Sequence, residues 1–173
     1  TVKRLSILVG ATPKLGAMWR KSLNFVRAIK ESNQEQAMAL GRWLTKQPNC
    51  PTSVIFEYAD LLMANKAGDQ AQTSLNDFLK SNPDSGPGWS QLGQLQMQTG
   101  AKSEALKSYQ KALELRPNQV DELAAARLHM SFGQWKQAKA LIDPNRFASK
   151  HRNTALKLKA ACLFQLKDYK ASA

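Results

Sequence analysis

Three prolines set the period of this chain. Pro83 and Pro117 lie 34 residues apart, and Pro48 lies 35 residues before Pro83. Each follows an amphipathic run: Ala71, Leu75 and Phe78 precede Pro83, and Ala105, Tyr109 and Ala112 precede Pro117, in steps of three or four that share one helix face. Proline has no N–H to continue a helix, so each run reads as the second helix of a hairpin stopped at a fixed place. One hairpin of this length cannot bury its own apolar face. Hairpins repeated at this period bury one another's, each packing on its neighbours.

The clearest unit is Gly86 to Gln119. Within it stand Trp89, Leu92, Gly93, Gly100, Ala105, Tyr109, Ala112 and Pro117. Gly93 and Ala105 are small where paired helices approach, Gly100 suits the turn between them, and Trp89, Leu92, Tyr109 and Leu113 fill the contact. These residue types at this spacing closely resemble the tetratricopeptide repeat family. Gln96 departs from it, standing where the family usually has Tyr. The resemblance implies an all-α, right-handed solenoid of stacked antiparallel helix pairs with a concave and a convex side.

One period earlier, residues 52–85 repeat the pattern, with Ile55, Tyr58, Ala59 and Leu62 on the first helix. One period later, residues 120–152 give a shortened copy. It runs from Leu123 to Met130, turns at Gly133, and continues through Trp135, Ala138 and Leu141 until Asp143-Pro144 cuts it off. A last first helix is expected from about Thr154 to Leu166, with Ala160 and Leu163 inward and Tyr169 after the turn, making 153–173 an incomplete repeat. Residues 18–51 read as a diverged hairpin, Met18 to Glu31 and Gln34 to Gln47, with Trp19, Leu23, Val26, Ala37, Leu40 and Leu44 inward. Residues 1–17 read as an irregular lead or the end of an earlier repeat. A chain opening on Thr1 and stopping inside a helical pattern points to a fragment or processed product.

Composition narrows the function classes. No apolar run approaches the roughly 18–20 residues that span a bilayer. Cys50 and Cys162 are the only two cysteines, far apart and outside any ligand spacing, so neither a disulfide framework nor a metal site is expected. No HExxH, GxSxG, GxGxxG or phosphate-loop spacing occurs. Gly10 to Gly16 has the glycines and a lysine of a phosphate loop at the wrong spacing. His129 reads as a packed histidine and His151 as an exposed loop residue. Glu57 and Asp60 read as a solvated pair. No catalytic residue and no cofactor is expected.

The net charge of +12 is unevenly spread. Residues 1–30 carry seven Lys/Arg and no acid, residues 31–135 carry nine against eleven, and residues 136–173 carry nine against two. Basic ends suit an acidic partner. Nucleic acid is disfavoured because Trp43, Tyr58, Trp89, Tyr109 and Trp135 all read as interhelical packing residues rather than a stacking platform. An anionic membrane surface is disfavoured because neither end shows an amphipathic helix free of repeat packing.

In the resembled family, first helices line the concave groove beside the packing stripe. Carried over, this gives Phe56, Asp60 and Met63, then Ser90, Gln94 and Met97, then Leu123, Arg127 and Met130, then Lys157, Ala161 and Phe164. A one-residue slip in the third set would substitute Ala124, Leu128 and Ser131. The last position of each set is apolar. Each such side chain, when buried, is worth about 1.5–3 kcal/mol. The Lys/Asn/Arg carboxylate clamp of co-chaperone members is not matched. The expected function is a non-catalytic protein-interaction scaffold or adaptor, taking a partner peptide or helix with apolar anchors and an acidic flank. The alternatives are a regulatory or substrate-recruiting domain of a larger enzyme, such as a glycosyltransferase, sulfotransferase or protease, and a nucleic-acid-binding helical repeat. The resemblance leaves the compartment open, with cytoplasm favoured over periplasm.

Overall fold

The structure, a computed structural model, describes residues 13–166, which form nine helices and no strand. The sharpest mark of the repeat is in the backbone. Ser32, Lys66, Gly100 and Gly133 all have positive φ, at 56°, 59°, 84° and 70°. They stand 34, 34 and 33 residues apart, each just past the end of a first helix. Behind each, the next N–H reaches back five residues: Asn33 to Ala28 O, Ala67 to Leu62 O, Ala101 to Gln96 O and Gln134 to His129 O, all at 2.8–2.9 Å. This is the Schellman closure, which satisfies helix-end carbonyls through one left-handed residue. Four identical closures make residues 13–30 a first helix of the same kind as the later ones.

The chain divides into a unit ending at Phe78 and a unit beginning at Leu79. In the first, α1 (Pro13–Lys30) opens on a proline, which loses no helical bond there. It packs on α2 (Gln34–Leu44), whose N-cap Asn33 accepts from the Gln36 N–H. α2 packs in turn on α3 (Thr52–Ala64), and the Tyr58 ring lies against Gly41, where a Cβ would collide with it. The side chain of Gln34 also hydrogen-bonds that of Asn65. α4 (Gly68–Ser81) buries Ala71 and Leu75.

Here the expected register of the first hairpin is corrected. The buried residues of α1 are Ser22, Phe25 and Ala28, while Trp19 is 45% and Leu23 66% exposed. Large apolar residues at helical spacing suggested an inward face, but one aromatic flanked by small residues fills the space instead. Helix begins at Pro13, so residues 13–17 are not an irregular lead. The expectation for residues 1–12 lies outside the described residues, as does that for Tyr169. Trp43 is likewise no packing residue. It is exposed, and the Lys21 ammonium sits 3.6 Å from its ring centroid.

The second unit contains α5 (Gly86–Gln98), α6 (Lys102–Leu115), α7 (Gln119–Ser131), α8 (Trp135–Leu141) and α9 (Ser149–Gln165). Ser85 caps α5 by accepting from the Gly88 N–H. A Cβ on Gly93 would stand 3.1 Å from three ring atoms of Tyr109, so glycine sets the approach of α5 and α6. Where the family has an aromatic, Gln96 is buried and its Oε1 accepts from Ser108 Oγ at 2.7 Å. A polar pair thus replaces a ring at no cost in unsatisfied groups.

α8 has only seven residues. What a longer helix would have covered is filled by Phe147, buried with Leu123, Ala126, Ala138, Ile142, Ala155 and Cys162. Gln119 fastens that loop, its Nε2 donating to Arg146 O (2.8 Å) and its Oε1 accepting from the Ala148 N–H (3.1 Å). This anchorage lets α9 start at Ser149, five residues before the expected start. His151 is therefore half-buried in the first turn of α9, not in a loop. Ala160, expected inward, is exposed.

Candidate partner-binding surface

The closures fix which residues are equivalent. α3 and α5 start 34 residues apart, and α5 and α7 start 33 apart, as do Gly100 and Gly133. Met63, Met97 and Met130 therefore occupy one position of the repeat, and Ile29 of α1 shares it. The slipped set is excluded as equivalent, and its Leu128 is buried against α6.

In the second unit, Gln94 and Met97 are exposed on α5, Met97 by 37%. Arg127 is exposed on α7, and Lys157 and Phe164 are exposed on α9. Met130 is half-buried, packed against the α7–α9 core. Leu123 corrects the expectation: it is buried inside that core and presents nothing to solvent. Its position was assigned by carry-over, but the short α8 draws it inward beside Phe147.

Ser90 is the polar link of the surface. Its Oγ donates to Asp121 Oδ1 at 2.6 Å, tying α5 to the first turn of α7. Asp121 is buried, and that burial pushes its carboxyl above the usual range, while the Ser90 hydroxyl and the Arg116 charge pull it down. Sequence reading singled out Ser90 and missed its partner, since one Asp near a helix start looks like an ordinary first-turn acid. Val120 was missed too. It is 55% exposed, one turn before Leu123 and beside Arg127 on the same helix face.

In the first unit the equivalent residues differ. Asp60 is exposed and Met63 half-buried on α3. Phe56 is half-buried and turned onto α4, its ring edge-to-face with Phe78 at 5.8 Å between centroids.

No other chemistry gathers here. Among the described residues no group of three or more His, Cys, Asp or Glu could hold a metal ion, and no helix is long and apolar enough to cross a membrane. His129 is buried with Nδ1 2.6 Å from Gln134 Oε1, a structural contact at the end of α7. Burial pushes the Cys50 thiol up to about 11 and raises that of Cys162, so both are protonated at neutral pH.

Residues 87–119 match the tetratricopeptide repeat family, and the described residues have the all-α fold of that class. Among solved structures, the chain is similar to MamA, at 13% identity and a TM-score of 0.74, over 90% of this chain and 85% of that one. It is also similar to a tetratricopeptide repeat protein from Parabacteroides merdae ATCC 43184, at 14% identity and a TM-score of 0.75, over 91% of this chain and 63% of that one. A third is MamA from Desulfovibrio magneticus RS-1, at 14% identity and a TM-score of 0.56, over 79% of this chain and 72% of that one. No curated protein matches the sequence at a significant level.

Proposed function

We propose that this chain is a non-catalytic protein-interaction scaffold whose second unit takes a partner peptide or helix along the first-helix row of Gln94, Met97, Val120, Arg127, Met130, Lys157 and Phe164. The observation that carries the reading is the repeated apolar position at the helix ends, Met97 and Met130, set beside cations rather than carboxylates. Methionine is unbranched and adapts to different ligand shapes, so a row of such side chains suits apolar anchors. Arg127 and Lys157 give that row a positive border that suits an acidic flank. In the first unit, Asp60 and Met63 present a smaller surface of the same kind, while Phe56 contributes to packing. The fold class and its solved relatives are consistent with a scaffold.

The test is site-specific photo-cross-linking in the full chain. A benzophenone side chain at position 97 is expected to give adducts with a protein partner, and one at exposed Lys107 on α6 is not. Equal yields from both positions would remove the support for this surface.

A further inference from the structure

We infer that α9 carries a second docking face, centred on Leu156 and Ala160, that seats an acidic amphipathic helix from a partner protein. The argument starts from the repeat itself. Ala59, Gly93 and Ala126 are the equivalent small residues of α3, α5 and α7, and all three are buried. Gly93 meets Tyr109 of α6 and Ala126 packs with Ala138 of α8, so this position is where a first helix receives a second one. α9 keeps the small residue, Ala160, and leaves it exposed. One turn earlier, Leu156 is 50% exposed where the other helices have Ile55, Trp89 and Glu122, each buried or half-buried. Among the described residues no helix follows α9.

The opposite edge of the repeat is treated differently. On α3, Val54, Tyr58 and Leu61 form the edge that meets α2, and on α7 buried Ala125 and Leu128 pack on α6. Their counterparts on α1 are Arg20, Asn24 and Arg27, all exposed. A polar outer edge is what a terminal repeat needs to stay in water. α1 has that edge, whereas α9 presents leucine and alanine at its own receiving positions.

Charge selects the occupant. α9 contains no Asp or Glu, and Arg152 and Lys159 border the Leu156–Ala160 stripe on one side with Lys157 on the other. A second copy of this chain would bring the same cations together, which opposes a homotypic contact. A helix with an apolar stripe between carboxylates complements the face.

The experiment uses the full chain and a fluorescein-labelled, stapled peptide of residues 102–115, the helix that seats on α5, with Lys102, Lys107 and Lys111 each replaced by Glu. The expected result is anisotropy-detected binding that weakens about tenfold or more with Leu156→Glu, and about as much when the peptide keeps its lysines. Met97→Asp leaves this binding unchanged, so a failure here is distinct from a failure of the first-helix row. Equal binding of both peptides, or no effect of Leu156→Glu, overturns the assignment. So do a cross-link from Ala160→Cys to residues 167–173 in place of the peptide, and binding of phosphatidylserine vesicles in place of the peptide.

Discussion

Ser90 on α5 donates its hydroxyl to the buried carboxyl of Asp121 on α7 across 2.6 Å, a direct polar bond between successive first helices. Removing the donor leaves a buried acceptor without its partner. Ser90→Ala is therefore expected to cost about 1–3 kcal/mol in denaturant unfolding. A loss below about 0.5 kcal/mol would mean that the bond does not hold the two helices.

The same carboxyl makes stability depend on pH. Its folded pKa lies above the ordinary value near 3.8, with burial as the main cause. A raised carboxyl favours the protonated form when folded, so its contribution is full below the unfolded pKa and is lost as pH rises through the folded one. Asp121→Asn keeps an acceptor for Ser90 and removes the titration. Relative to that variant, the native chain is expected to lose stability as pH climbs from about 4, then to run parallel to it. Parallel curves across the whole range would contradict the account.

Two of the four left-handed turns lack glycine. A non-glycine residue in that conformation is strained by roughly 1–2 kcal/mol, and glycine returns part of the gain through its freer unfolded chain. Ser32→Gly and Lys66→Gly are each expected to stabilise the chain by about 0.5–1 kcal/mol, and Gly100→Ala to destabilise it by about 1 kcal/mol. Thermal melts of the three variants check this, and a uniform sign across them would refute it.

Tyr109 reports on how tightly α5 and α6 close. Burial, with Asp121 nearby, pushes its hydroxyl up to about 12. With Tyr58 and Tyr169 replaced by Phe, ultraviolet titration is expected to show no phenolate until close to that pH. Gly93→Ala sets a methyl against the ring and is expected to cost about 1–3 kcal/mol and lower the titration midpoint. An unshifted midpoint with unchanged stability would mean that the helices have room to spare.

Sequence reading was strong where the repeat is marked by residue type. Pro83, Pro117, Gly100 and Gly133 punctuate the helices, and Gly93, Ala105 and Tyr109 name the contact between them. It was weak where conformation is not signalled by residue type. Ser32 and Lys66 take the glycine role without looking like glycine. Trp19 and Leu23 looked inward because size and spacing carry no information on which of two faces is covered. The candidate surface was legible at Gln94, Met97 and Arg127, which are exposed. Leu123 was misplaced because Phe147, a loop residue outside the period, rebuilds the core around it. Asp121 was invisible because its partner is 31 residues away and becomes a neighbour only when two first helices lie side by side.

The most direct test of the central claim measures partner affinity against folding in the same variants. The exposed residues Met97 and Arg127 are changed to Asp and Glu, and the affinity of the isolated native partner for the full chain is read by calorimetry beside far-ultraviolet circular dichroism. Binding through the first-helix row predicts that Met97→Asp weakens affinity about tenfold or more with helicity intact, and that Arg127→Glu weakens it further for an acidic partner. Unchanged affinity in both variants, with folding intact, would place the partner elsewhere on the molecule and contradict the account.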